Sequence, residues 1–410
     1  MAVATSGNAS AGHRAPTRRR WLLAGAALLL LAGCDTAADP APHDGAGSAA
    51  SRTPSASPAP PAGTAVPDAA PAANFCAVPQ PASWRRALRS DRLTQRAGEI
   101  LVVHAVGADG GTAVLDDRTG DERTVVFRRD GHSTRVLRLA HPDTDQLYGA
   151  AFDGRYLVFS VSHNPNDLSA WTLYGWDSVA GGRPRRLAGN AVDAAGNPVP
   201  SPLLYPVVAG GVAAWTAGRP DGSTALHRYT FATGADEVVR AGHPGAPFLF
   251  EGDLVWPESP RPDALTRLHA VRLADGAPAR LPATLAAVRG PAFIVGTGSG
   301  VAAWVSADVR TLYVWRPGWR APVRVRHVST GRNVQWVRAA GPLVTWDDGT
   351  AQFAADLRTG AFTKLTPRYG YTEASGDALA VGYAPAAKGE ATAAPSLVRV
   401  SELAPLPTCH

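Results

Sequence analysis

The sequence has no apolar run long enough to span a bilayer. Its most apolar stretch, Trp21 to Ala32, is twelve uncharged residues, too few to cross roughly 30 Å of hydrocarbon at about 1.5 Å each. Cysteine is scarce: only Cys34, Cys76 and Cys409, with no C-x-x-C pair to lower a thiol pKa. The signatures of common catalysts are missing, with no G-x-S-x-G, H-E-x-x-H, G-x-x-x-x-G-K-[ST] or dinucleotide fingerprint. The histidines are scattered, and no two share an element at metal-ligand spacing, so no metal or cofactor is expected. From residue 75 onward, no 10–15-residue amphipathic segment suits a crossover helix, which disfavours a parallel α/β fold. The one short helical exception is Ala82 to Arg89.

What is present begins with a processing signal. Arg14 and Arg18-Arg19-Arg20 precede the short apolar core, and Leu31-Ala32-Gly33-Cys34 follows it. The tetrad resembles the bacterial lipobox, which implies removal of residues 1–33 and lipidation of Cys34. Two or more acyl chains give stable anchoring where one does not. The expected location is the extracytoplasmic face of the cell membrane. Thr17 to Leu23 also resembles a twin-arginine export motif, leaving that route and the general one open. Processing removes four arginines and no acidic residue, so the net charge falls from +6 to +2. The high pI therefore describes the signal in part and argues poorly for nucleic-acid binding.

Residues 34–74 read as the lipidated cysteine and a tether: thirty-two of the forty residues after Cys34 are Ala, Pro, Gly, Ser or Thr. Such a segment has almost nothing to bury against the entropy of ordering. Residues 75–410 form the folded domain and hold ten of the eleven tryptophans. Cys76 and Cys409 flank it, and in an oxidising compartment they are expected to pair, tying first element to last.

Within the domain a unit recurs. Leading glycines at 98, 154, 211, 252, 300, 341 and 376 each open an apolar strand. Examples are Gly154-Arg155-Tyr156-Leu157-Val158-Phe159 and Gly300-Val301-Ala302-Ala303-Trp304. A Leu-rich strand recurs in phase, as in Thr172-Leu173-Tyr174-Gly175-Trp176 and Thr311-Leu312-Tyr313-Val314-Trp315. Apolar residues often alternate within these copies, the mark of a strand with one packed face. Four short strands per unit, mostly about 40–50 residues apart, indicate an all-β, seven-bladed β-propeller, with six or eight blades as the alternatives.

Leu173-Tyr174-Gly175-Trp176 with Gly182-Arg183-Pro184-Arg185-Arg186-Leu187 resembles strand three, turn and strand four of TolB-like bacterial propellers. The resemblance covers residues 98–405. It implies a propeller that docks a partner protein or peptide over its channel or upper face.

Local candidates are few. His163, Asn164, Asn166 and Asp167 fall in a long polar insertion between strands, a position suited to partner contact. Arg316, Trp319 and Arg320 frame a Pro-Gly turn, where an exposed aromatic would suit a protein or glycan surface. Asp116, Asp117, Asp121 and Glu122 read as a solvated acidic loop. His227 and His269 occupy equivalent positions in the repeat, which favours a structural role. The leading expectation is a non-enzymatic envelope lipoprotein whose propeller binds or scaffolds a protein partner. The alternative is an extracytoplasmic enzyme or glycan-binding module at the central channel, which would require titratable groups to converge there.

Overall fold

The computed structural model describes residues 75–164, 169–202, 204–261, 264–328, 331–383 and 393–409. Cys34 and the segments read from the sequence as signal and tether, together with Asn166 and Asp167, lie outside them. None of the described helices is long and apolar enough to cross a membrane.

Alternating strands separated by glycine turns fold here into seven antiparallel sheets. Blade 1 comprises Glu99–Val106, Thr112–Thr119, Glu122–Arg129 and His132–Arg138. Blade 2 comprises Gln146–Phe152, Tyr156–Ser162, Trp171–Asp177 and Arg185–Gly189. Blade 3 comprises Val207–Ala209, Val212–Gly218, Thr224–Thr230 and Ala235–Gly242. Blade 4 has three strands: Phe248–Phe250, Asp253–Glu258 and Arg267–Arg272. Blade 5 comprises Phe293–Gly296, Ala302–Val305, Thr311–Trp315 and Val323–His327. Blade 6 comprises Gln335–Ala340, Leu343–Asp347, Gln352–Asp356 and Ala361–Lys364. Blade 7 has Gly370–Ser375, Ala378–Tyr383 and Ser396–Arg399. The first strand of each blade is innermost, and that of blade 1 packs against those of blades 2 and 7.

All seven leading glycines have positive φ, from 50° to 104°, a region that only glycine enters without cost. Six of them sit in the turn between the first and second strands. Gly98 does not. It precedes the inner strand of blade 1, whose equivalent turn is Gly107–Gly111, and this misplacement explains the long interval to Gly154.

Cohesion comes from apolar faces buried between adjacent blades, with a cluster at every interface around the ring. Between blades 1 and 2, Phe127 meets Phe152 and Trp176 edge-on, at 5.1 Å in each case. A second device repeats within blades: an aromatic of the second strand stacks on its cross-strand neighbour in the third. The pairs are Phe159–Tyr174, Trp215–His227, Trp256–His269, Trp304–Tyr313 and Trp346–Phe353, with centroids 5.3–5.9 Å apart. Such pairs contribute about 0.5–1.5 kcal/mol beyond area burial. His227 and His269 are thus ring partners of tryptophan, and their equivalence has a packing cause.

Closure of the ring is shared among three segments. The residues just before blade 1 pair with the outer strand of blade 7, where Leu93 N donates to Pro395 O and Leu397 N to Asp91 O, both at 2.9 Å. Helix α1 (Ala82–Ser90) buries Trp84 and Leu88 among residues of blades 6 and 7, and Trp84 Nε1 donates to Ala404 O at 2.7 Å. Cys76–Ala77 adds a short parallel strand to the edge of blade 6. The disulfide Cys76–Cys409 is present. It fastens the two ends of the folded domain to the rim of blade 6, rather than joining the last blade directly to the first.

A disulfide across so long a loop stabilises by about 2–5 kcal/mol in the chain-entropy account. Cys409→Ala, or reduction, is expected to lower the denaturant midpoint by a corresponding amount while the far-UV spectrum stays that of a β-protein. Chemical unfolding with and without reductant measures it.

Candidate functional site

The strand rule of alternating faces breaks at three inner strands. In blade 1 the register shifts between Val103 and Ala105, in blade 2 between Leu147 and Gly149, and in blade 6 between Gln335 and Arg338. Each shift is a β-bulge, which re-aims a side chain without ending the sheet. The extra residues are His104, Tyr148 and, in blade 6, the Trp336–Val337 step. All three bulges open onto one cavity of about 510 Å³ on the axis, lined by inner strands of every blade. Trp336 reaches it with φ of 54°, a costly backbone conformation for a bulky residue. The inner strands crowd closely there: a Cβ on Gly149 would lie 2.5 Å from the Leu204 carbonyl.

The channel side chains form two tiers. Tyr148, Tyr205 and Trp336 each stand four residues before the ends of their inner strands, at Phe152, Ala209 and Ala340. Tyr148 stacks on Tyr205 at 5.5 Å, Tyr205 meets Trp336 edge-on at 6.2 Å, and Trp336 meets Phe293 at 5.7 Å. Blades 2, 3, 6 and 5 are thereby bridged across the axis by aromatic contacts.

His104, Arg338 and Glu373 form the second tier, each two residues before its strand end at Val106, Ala340 or Ser375. Arg338 and Glu373 make a two-pronged ion pair, Nε to Oε2 at 2.7 Å and Nη2 to Oε1 at 3.0 Å. The guanidinium also lies 5.9 Å from the Tyr205 ring, joining the tiers. His104 has no hydrogen-bond partner among the described residues. Burial pushes its imidazole below the usual histidine range, outweighing the pull of Asp116 and Glu373, so the ring is neutral at neutral pH. Burial likewise pushes the Tyr148 and Tyr205 phenols up. The channel therefore offers aromatic faces, apolar walls, a self-neutralised ion pair and one neutral imidazole.

The residues singled out in the sequence lie elsewhere. His163 stands at the rim of blade 2 with both ring nitrogens engaged, Nδ1 to Asp145 Oδ1 at 2.9 Å and Nε2 to Thr172 Oγ1 at 3.0 Å. Neighbouring Asn164 is half-buried, its backbone tied to Ser162 Oγ. Trp319 is not exposed. At 4 % accessibility it packs into the core of blades 4 to 6, accepts Trp315 Nε1 at its carbonyl at 3.0 Å, and lies under buried Arg316. Of that turn's three candidates only Arg320 faces solvent. Asp116 is also corrected: it is a strand residue, wholly buried, bound by Arg123 Nε at 2.9 and 3.0 Å. Arg123 in turn donates to the Asp145 carbonyl at 2.7 Å, so a polar chain from Asp116 to Thr172 pins blades 1 and 2 together. Among the described residues no group of three His, Cys, Asp or Glu is placed to hold a metal ion.

His104, Tyr148 and Trp336 escaped sequence reading because bulges violate the alternation that such reading relies on. A faint signal existed: His104 and Tyr148 interrupt otherwise apolar first strands, and Tyr205 precedes Pro206.

The sequence matches no family model and no curated protein. Among solved structures, a prolyl endopeptidase is similar over 78% of this chain and 49% of its own, at 14% identity and TM-score 0.50. Puromycin hydrolase is similar over 76% and 53%, at 14% identity and TM-score 0.46. The β-propeller domain of the Trilobed protease from Pyrococcus furiosus is similar over 70% and 90%, at 10% identity and TM-score 0.46. The chain spans about half the length of the first two. At these identities the likeness concerns the fold, a β-propeller, alone.

One carboxyl at the end of the second strand of blade 6 carries a pH signature. Asp347 pairs in register with Gln335, is wholly buried, and accepts Gly349 N at 2.9 Å and Gln335 Nε2 at 3.2 Å on Oδ1, while its Oδ2 has no partner among the described residues. Burial pushes its pKa up to about 6. Between about pH 4 and 6 the folded state then holds a proton that the unfolded state releases, so stability falls as pH rises through that window. Above it the loss is constant, at most about 3 kcal/mol. Asp347→Asn is expected to flatten this slope, as read by urea unfolding at pH 4 to 7.

Proposed function

We propose that this protein is a lipid-tethered envelope receptor whose propeller takes an apolar, aromatic-bearing segment of a protein partner into its central channel. The observation that carries the reading is the aromatic tier of Tyr148, Tyr205 and Trp336 over apolar channel walls. Two of its three members stand at inner-strand bulges, where Trp336 also holds an unfavourable φ. Aromatic anchors in a desolvated pocket dominate protein recognition. The internally neutralised Arg338–Glu373 pair leaves little reward for a charged ligand. The resemblances of the repeats to TolB-like propellers and of Leu31-Ala32-Gly33-Cys34 to a lipobox agree with this reading, in which the tether holds the domain above the membrane so that the channel meets neighbouring envelope proteins.

A second reading, an extracytoplasmic enzyme, draws on the neutral His104, without a hydrogen-bond partner among the described residues, beside the Arg338–Glu373 pair in a channel that also holds two phenols. That is a convergence of titratable groups in one cavity. His104→Ala separates the two: a catalyst stops converting its captured ligand, whereas a receptor captures it unchanged.

The test is affinity capture from membranes with the intact protein, beside Cys34→Ala and Trp336→Gly. Glycine accepts the φ of position 336 without strain, so this change removes the ring and preserves the backbone. Loss of a central aromatic anchor costs about 2 kcal/mol or more, so recovery of a reproducible partner should fall at least tenfold with Trp336→Gly. Equal recovery with and without the ring would sink the channel as the binding site.

A further inference from the structure

We infer that a second site, a cleft at the outer rim between blades 3 and 4, binds a small oxyanion, either a phosphate or a carboxylate group carried on a compact body. The starting point is the strand that blade 4 lacks. After Arg267–Arg272 the chain turns at Gly276 and follows the sheet edge only briefly, with Arg272 N donating to Ala277 O and Ala279 N to Ala270 O. It then leaves the edge, forms the short helix α2 (Ala283–Ala286), and rejoins it where Gly290 N donates to Thr266 O at 3.0 Å. An outer strand is thus replaced by an arch.

Beneath the arch lies a cavity of about 860 Å³, within the range of small-molecule sites. Its walls are made of alanines from the arch, Leu268 and His269 of blade 4, and Arg240 from the outer strand of blade 3. The small side chains leave the space open.

The charges around it do not balance. Glu258, 6 % exposed, accepts Arg240 Nε at 2.7 and 3.0 Å and Trp256 Nε1 at 3.1 Å, so this carboxylate is already answered by Arg240. Arg280 and Arg289 also line the cavity. Arg289 is folded against the end of α2, where Nη1 donates to the carbonyls of Ala286 and Val288 at 2.6 and 2.7 Å. Arg280 has no hydrogen-bond or ion-pair partner among the described residues. Two guanidinium groups without a carboxylate at one cavity favour an oxyanion, whose geometry matches the guanidinium fork. An uncharged body of the same size would gain none of this.

Titration calorimetry on the full chain in detergent, with inorganic phosphate, citrate and glucose as probes, tests the assignment. Phosphate, citrate or both should bind saturably, and which one binds identifies the acidic group. Glucose should give no binding. Each charged hydrogen bond to a ligand is worth about a tenfold change in affinity or more, so Arg280→Gln and Arg289→Gln should each weaken binding at least tenfold. Arg280→Gln is the safer variant, since that side chain is exposed and makes no hydrogen bond or ion pair among the described residues. Trp336→Gly, which alters only the channel, should bind the anion as the parent does, so failure of the channel reading leaves this one standing. Absence of saturable binding by both anions, or an affinity unchanged in the doubly substituted protein, overturns the site.

Discussion

A ring of β-sheets holds together only when its first and last blades bury against each other the same apolar faces that every interior pair buries. An unclosed ring would leave two such faces wet. This constraint accounts for much of the molecule outside the repeats. Helix α1 exists to seat Trp84 and Leu88 over blades 6 and 7. The Asp91–Leu93 segment exists to pair with the last outer strand. The C-terminal tail runs back to blade 6, where Leu406 N bonds Asp356 Oδ2 at 3.0 Å and Cys409 reaches Cys76. Closure is thus a set of modest contacts on neighbouring blades, locked covalently at its outer end.

The same ring geometry creates the channel and decides what it can hold. Seven inner strands converge on one axis, and regular alternation would point small or apolar side chains toward it. Bulges in blades 1, 2 and 6 instead deliver His104, Tyr148 and Trp336. Each bulge gives up ladder hydrogen bonding, and Trp336 adds an unfavourable backbone angle. The rigid blades behind them supply the compensation, so the irregularities lie where the scaffold is most over-determined. Blade 4 shows the complementary case, a missing outer strand whose place is taken by an arch over an open cleft.

Much of the fold was legible locally. Gly154, Gly211, Gly252, Gly300, Gly341 and Gly376 mark turns that require positive φ, and the Leu-rich copies at Thr172 and Thr311 both fall in third strands. The equivalence of His227 and His269 reported a real cross-strand stack. Trp319 and His163 were less legible as surface features. A turn residue and a loop residue look exposed in one dimension, yet the core between blades reaches Trp319 and the rim network consumes His163.

The sequence by itself determined the all-β class and the repeat of seven units, which follow from period-two patterning and glycine turns, each acting over a few residues. It also pointed to the pairing of Cys76 with Cys409, since these are the two cysteines that flank the folded domain. Tertiary structure alone decided where the ring is sealed, which residues meet on the axis and which charges at blade 4 stay unanswered. Those facts arise between blades, from side chains such as Tyr205 and Trp336 that lie far apart in the chain and adjoin only once the circle is complete.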